Sequence, residues 1–150
     1  MCGYPSSCEV NANKGHKNSR NKWFGRIDIY IDAKTNWYFG EAKKTELTCS
    51  PTKDWGNAFQ ASIDDASHDA RQVAGSGEGK SYIALSFWAL VANQRVVANG
   101  GDEGIRVSLS EYLDSRPFDA AAWYFLDRPM EWGSGNFGLG VVLGIQSVGL

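Results

Sequence analysis

Hydrophobic and polar residues alternate along a stretch that a polar turn separates from a second predicted strand. In the first stretch, residues 26–32, isoleucine occupies every second position. The second stretch, residues 37–45, is interpreted as its partner strand. Because successive side chains of a strand point to opposite faces, a period of two predicts a β-hairpin, with the polar tripeptide 34–36 as its turn. One face of the second strand is expected to carry Trp37, Phe39, Glu41, Lys43 and Thr45.

Beyond the hairpin the apolar residues recur at steps of three or four. This period predicts an amphipathic helix over residues 50–74, with Ser50 as the N-cap and Pro51 in the first turn. The glycine-rich segment 75–79 ends it. The apolar stripe of this helix consists of Trp55, Phe59, Ile63, Ala66, Ala70 and Val73.

Residues 81–92 form an almost continuous apolar run, which is typical of a central strand buried on both faces. The order strand, helix, parallel strand favours an α/β fold. The expected fold class is therefore α/β, with a mixed central sheet and flanking helices. Three shorter elements are predicted to follow: a helix from Ser108 or Ser110 to Leu113, a strand over 120–126 that Arg128 and Pro129 end, and a strand over 140–148.

Length and composition predict one domain. The chain has 150 residues, which is enough for a sizeable core. Residues 1–22 are polar and are interpreted as an N-terminal arm, and residues 23–150 as a single domain. No apolar run approaches the roughly 20 residues of a membrane span, and no apolar signal segment opens the chain. A cytoplasmic protein without membrane contact, whose three cysteines stay reduced and free of metal, is therefore expected.

The charge is distributed unevenly. The formal net charge is −2, but residues 14–53 hold nine basic and four acidic side chains. Residues 54–150 hold six basic and twelve acidic ones. The basic part contains the hairpin, so a phosphate backbone would meet local positive charge there. A solvated charged face is the alternative interpretation.

The hairpin also carries acidic side chains whose pairing depends on its loop. An even-numbered loop pairs odd positions with even ones. If Thr35 and Asn36 form a two-residue loop, Asp28 lies opposite Lys43 and diagonal to Glu41, with about 7–8 Å between the Cα atoms of the diagonal pair. The two carboxylates would then hold one hard cation, whereas an odd-numbered loop would separate them.

An acidic residue on one strand followed by Glu-x-Lys on the next resembles the PD-(D/E)xK nuclease superfamily, which has a restriction-endonuclease-like core. The matching residues are Asp28 and the triplet Glu41-Ala42-Lys43. The resemblance covers roughly residues 24–92. The sequence departs from the family pattern at Ile27, where the family name has a proline, and over residues 1–23, which show no opening helix.

This resemblance implies a set of site residues. Mg²⁺, or Mn²⁺ in its place, would be held by Asp28, Glu41 and the backbone carbonyl of Ala42, together with water. Lys43 would orient or deprotonate the attacking water or offset charge on the phosphate. Gln60, on the following helix, corresponds to a glutamine that some members place beside the site. Asp32 is a rival ligand, but its place near the turn has a simpler explanation in turn chemistry.

The expected function is metal-dependent hydrolysis of nucleic-acid phosphodiester bonds, by an endonuclease or an exonuclease. The expected partner is nucleic acid, with DNA favoured, and a homodimer would allow two strands to be addressed. Three alternatives remain. The same fold would serve as a non-catalytic nucleic-acid-binding or structural module. A β-protein rich in glycine and tryptophan would bind carbohydrate. A plain surface hairpin would carry an Asp28–Lys43 salt bridge worth under about 1 kcal/mol.

Overall fold

A computed structural model describes the backbone of residues 6–15, 22–32, 37–73 and 80–149 and the side chains of residues 38–71 and 81–149. These parts of the chain contain six strands and three helices. In chain order they are β1 (Ser6–Gly15), β2 (Lys22–Asp32), β3 (Trp37–Thr48), α1 (Trp55–Val73), β4 (Lys80–Asn93), α2 (Gln94–Ala98), α3 (Gly101–Asp114), β5 (Ala120–Gly133) and β6 (Asn136–Val148).

The strands form one sheet in the order β1-β2-β3-β4-β6-β5. The pairs β1/β2, β2/β3 and β5/β6 are antiparallel. β3 and β4 run in the same direction, because Phe39 stacks on Tyr82 near the start of both strands and the Cys49 amide donates to the Val91 carbonyl near their ends. The sheet is therefore mixed, and the predicted α/β class with flanking helices is confirmed at this level.

The chain divides into two compact units. The first unit consists of Met1–Lys43, Ile63–Leu85 and Gln146–Leu150, and the second of Lys44–Ser62 and Ser86–Ile145. Small side chains of α1 pack against β4 and the end of β6 in the core of the first unit. Its members are Ala66, Ala70, Tyr82, Ala84 and Val148, with Phe39 packed against them.

The core of the second unit is built around the Phe59 ring. This side chain is 1% exposed, and the rings of four other residues surround it. Aromatic pairs of this kind add to the free energy gained by burial alone. The four partners are Trp55, Trp88, Tyr112 and Phe118.

The predicted helix is present, and it begins later than expected. Ser50 and Pro51 lie in a turn that the Lys53 amide closes on the Ser50 carbonyl. Asp54 precedes the first helical residue, and its Oδ1 accepts the Asn57 amide, which is the contact of an N-cap. The predicted stripe is buried at Trp55, Phe59, Ile63, Ala66 and Ala70, which confirms the helical period.

The polar N-terminal segment differs from its prediction. Residues 6–15 form β1 instead of an irregular arm, and they pair with β2 from Ser6↔Ile31 to Gly15↔Lys22. Ladder hydrogen bonds satisfy the backbone of a strand whatever its side chains, so a polar composition does not exclude a strand beside an existing partner.

Among the later elements, α3 and β5 differ most from their predicted limits. α3 starts at Gly101, after Gly100 in the left-handed conformation, and not at Ser108 or Ser110. β5 continues through Pro129 to Gly133, because the register shifts between Phe125 and Met130 and leaves the proline outside the ladder. None of the helices described here is both long and apolar enough to cross a membrane.

Candidate active site on strand β3

Strand β3 separates its side chains into an exposed and a covered face. From Glu41 to Thr48, even-numbered positions are exposed, and odd-numbered ones are buried or half-buried beneath α1. Glu41 is 4% exposed, and Lys43 follows it on the same face. The predicted placement of Glu41 and Lys43 together is thus present. The exposed positions are Ala42, Lys44, Glu46 and Thr48.

The register between β2 and β3 has the predicted parity but a different offset. The ladder runs from Asp32↔Trp37 to Ile29↔Gly40, with the four residues 33–36 between the paired ends. Trp37 therefore pairs with Asp32 and not with Lys34, so the predicted offset is wrong, whereas the predicted loop itself lies outside the described residues. Asp28 and Glu41 are the residues directly beyond the last printed pair of this ladder, Ile29↔Gly40, on their respective strands. The Asp28 side chain lies outside the described residues.

Lys43 is bound by a carboxylate from α1. Its Nζ donates to Asp69 Oδ2 at 2.5 Å, and the two side chains are 37% and 33% exposed. This hydrogen bond is the main reason that the pKa of Lys43 is raised above its usual value. Partial burial opposes the shift, whereas the charges of Asp69, Glu41 and Asp65 add to it. Lys43 is therefore protonated at neutral pH, which favours a role as a cation over deprotonation of water.

Asp65 and Asp69 are absent from the site predicted from the sequence. They are four residues apart on α1, so they lie on the same side of the helix one turn apart. Asp69 directly precedes Ala70, a member of the predicted buried stripe. This i, i+4 pair of carboxylates beside the stripe is the signal that could have identified them.

The roles predicted for Gln60 and for the Ala42 carbonyl stay predictions. Gln60 is exposed on α1 and belongs to the second unit, whereas Glu41 and Lys43 belong to the first. The Ala42 carbonyl lies on the strand between the two charged residues, as the sequence requires.

The metal site likewise stays a prediction. Among the described side chains, no three His, Cys, Asp or Glu groups are placed to hold one metal ion. That set does not contain the Asp28 side chain, which is half of the predicted carboxylate pair. Of the two predicted carboxylate ligands, Glu41 is the one whose side chain the structure describes, and Mg²⁺ prefers carboxylate oxygen.

A chain of hydroxyl groups links β3, α1 and β4 within the second unit. Thr45 Oγ1 donates to Ser62 Oγ at 3.4 Å, and Ser62 Oγ donates to the buried Ser86 Oγ at 3.0 Å. Buried hydroxyls of this kind must be paired, so these contacts fix the position of α1 over β3 at this point.

Comparisons of the chain with models of protein families, with curated proteins and with solved structures gave no match. The resemblance to the nuclease superfamily therefore rests on the residues and the strand order described above.

Proposed function

We propose that the protein is a metal-dependent nuclease that hydrolyses phosphodiester bonds of nucleic acid at the face of β3 that carries Glu41 and Lys43. The observation that supports this most is the placement of Glu41 and Lys43 on one covered face of β3, where Glu41 directly follows Gly40, the partner of Ile29 on β2. The order β2, β3, α1 and a parallel β4 is also the order that the family resemblance implies for a restriction-endonuclease-like core.

The donor set suits a hard divalent cation. Asp28, Glu41 and the Ala42 carbonyl would supply oxygen ligands to Mg²⁺ or Mn²⁺. The bound ion would supply a Lewis acid and a water of lowered pKa. Burial of Glu41 strengthens its interaction with a cation, because little solvent screens the carboxylate there.

Lys43 contributes charge in this proposal. It is protonated at neutral pH and lies on the same strand face as Glu41. An ammonium at this place stabilises the negative charge that grows on the phosphate oxygens in the transition state. The nine basic residues within residues 14–53 favour a polyanionic substrate, and DNA is the first to test.

The test is a cleavage assay with supercoiled and single-stranded DNA and with RNA, in Mg²⁺, in Mn²⁺ and in EDTA. Cleavage is expected with a metal ion and not with EDTA. Glu41→Gln and Asp28→Asn should abolish it, because each removes a charged ligand. Lys43→Met should lose most of the rate while Mn²⁺ binding, followed by electron paramagnetic resonance, is retained.

A matched control comes from the opposite face of β3. Glu46 is exposed there, so Glu46→Gln should leave cleavage unchanged. Full activity in Glu41→Gln, or no cleavage of any substrate by the parent protein, would overturn the proposal. Binding of DNA in EDTA without cleavage in metal would instead support the non-catalytic module.

A further inference from the structure

We propose that Asp69 is a positioning residue of this site, whose carboxylate holds the Lys43 ammonium on the Glu41 side of β3. This role rests on the proposed function, and nothing in the sequence pattern of the nuclease superfamily assigns it. The contact that carries it is the 2.5 Å hydrogen bond from Lys43 Nζ to Asp69 Oδ2.

A lysine needs such a partner if its charge is to have a fixed place. Its four-carbon side chain is flexible and loses up to roughly 2 kcal/mol of rotamer entropy when it is held. The Lys43 side chain is 37% exposed, so packing by itself does not immobilise it. A charge-assisted hydrogen bond is short and directional, and it selects one position of Nζ.

Core packing holds the part of α1 that carries Asp69. The residue after it, Ala70, is 1% exposed, and Ala66 one turn earlier is fully buried; both pack in the core of the first unit. The backbone of α1 is therefore fixed where it presents the carboxylate. Because an ammonium has three N–H donors, one bond to Asp69 leaves donors for a phosphate oxygen or a water.

Asp65 provides an internal comparison. It lies one turn before Asp69 on the same side of α1, but the hydrogen bond from Lys43 goes to Asp69. Asp65→Asn and Asp69→Asn therefore remove the same charge from the same helix side, but only the second removes the contact. A purely electrostatic influence would make the two variants alike, and a positioning role would make them differ.

The experiment measures kcat and KM for cleavage by the parent protein, Asp69→Asn, Asp65→Asn, Lys43→Met and the double variant Lys43→Met/Asp69→Asn. We expect Asp69→Asn to lower kcat roughly 10- to 100-fold, which is the effect of a misplaced catalytic group. KM and the Mg²⁺ dependence should not change. Asp65→Asn should have a much smaller effect. In the Lys43→Met background, Asp69→Asn should cause no further loss, because its partner is already absent.

A second readout does not depend on activity. The ¹⁵N resonance of the Lys43 ammonium should be observable in the parent protein through slowed proton exchange and should be lost in Asp69→Asn. Asp69→Glu retains a carboxylate and should restore part of kcat, so it tests the role even if Asp69→Asn folds poorly. Thermal unfolding of each variant confirms that the fold is retained.

The possible results separate the two proposals. An inactive parent protein overturns the proposed function and, with it, a positioning role in catalysis. An active parent whose kcat is unchanged in Asp69→Asn overturns the role of Asp69 alone. A loss of the same size in the Lys43→Met background also overturns it, since Asp69 would then act through some other group.

Discussion

The ring of Phe59 on α1 meets the ring of Trp88 on β4 edge-on, with 4.5 Å between the centroids and 71° between the planes. Both side chains are buried. Phe59→Ala removes the shared partner of four aromatic rings, so we expect the free energy of unfolding to fall by about 3–5 kcal/mol. Urea denaturation measures this. Phe87→Ala is the control, since Phe87 neighbours Trp88 on β4 but is 41% exposed and should cost far less.

Gly140 is a position in β6 that admits no side chain. Its φ is +156°, and an added Cβ would lie 2.2 Å from the Tyr124 carbonyl oxygen on β5. Gly140→Ala should therefore lower the free energy of unfolding by roughly 1–3 kcal/mol or more. Gly104→Ala is the matched contrast. Gly104 is exposed within α3 and has room for a Cβ, so alanine should stabilise the protein by up to about 1 kcal/mol. Equal urea midpoints for the two variants would contradict this description of the β5/β6 pair.

Burial raises the pKa of the Cys49 thiol to about 12, although the Val91 backbone and the Lys53 charge act in the opposite direction. An unfolded cysteine titrates near pH 8.5. Because the folded-state pKa is the higher one, the stabilising contribution is fully present below about pH 8.5 and is lost as the pH rises towards 12. The free energy of unfolding should therefore fall between pH 7.5 and pH 10.5, and it should fall less in Cys49→Ala. Parallel pH profiles of the two proteins would count against the burial of this thiol.

Arg106 of α3 holds the irregular part of β5. Its guanidinium donates to the Leu126 carbonyl and lies 5.5 Å from the centroid of the Phe125 ring. Arg106→Ala should raise the amide hydrogen exchange of residues 126–130, because this part of the strand lies at the register shift and depends on such support. Arg95→Ala, at an exposed position of α2, should leave that exchange unchanged. Mass spectrometry of deuterated peptides distinguishes the two.

The spacing of apolar residues was sufficient to predict the existence of α1, but it did not predict the residue at which the helix starts. The stripe from Trp55 to Ala70 recurs over several turns, so an error in one residue does not hide it. The start depends on which of two good capping residues is used. Ser50 and Asp54 both suit the role, and Asp54 is used because it directly precedes Trp55, the first buried residue of the stripe.

In the sheet and the site, too, local spacing predicted some features, whereas others depend on contacts with residues distant in the sequence. A period of two placed Glu41 and Lys43 on one face and predicted the parity of the hairpin, but the offset depends on how many loop residues remain unpaired. β1 was missed because its stability depends on pairing with β2 and not on its own composition. Asp69 was missed because it follows Lys43 by 26 residues, so its contact depends on how α1 is rotated over β3.

Strand β5 lies at one end of the strand order, and among the strands that the structure describes none pairs with its outer edge. A long open edge of this kind templates the addition of strands from other molecules and leads to aggregation, particularly when large apolar side chains are exposed along it. Pro129 has no N–H, the register with β6 shifts beside it, and Arg106 donates to the carbonyl of Leu126. These features divide a 14-residue edge into two shorter segments and so act against fibril growth. The exposed large side chains that this protects are Trp123, Tyr124, Met130 and Trp132.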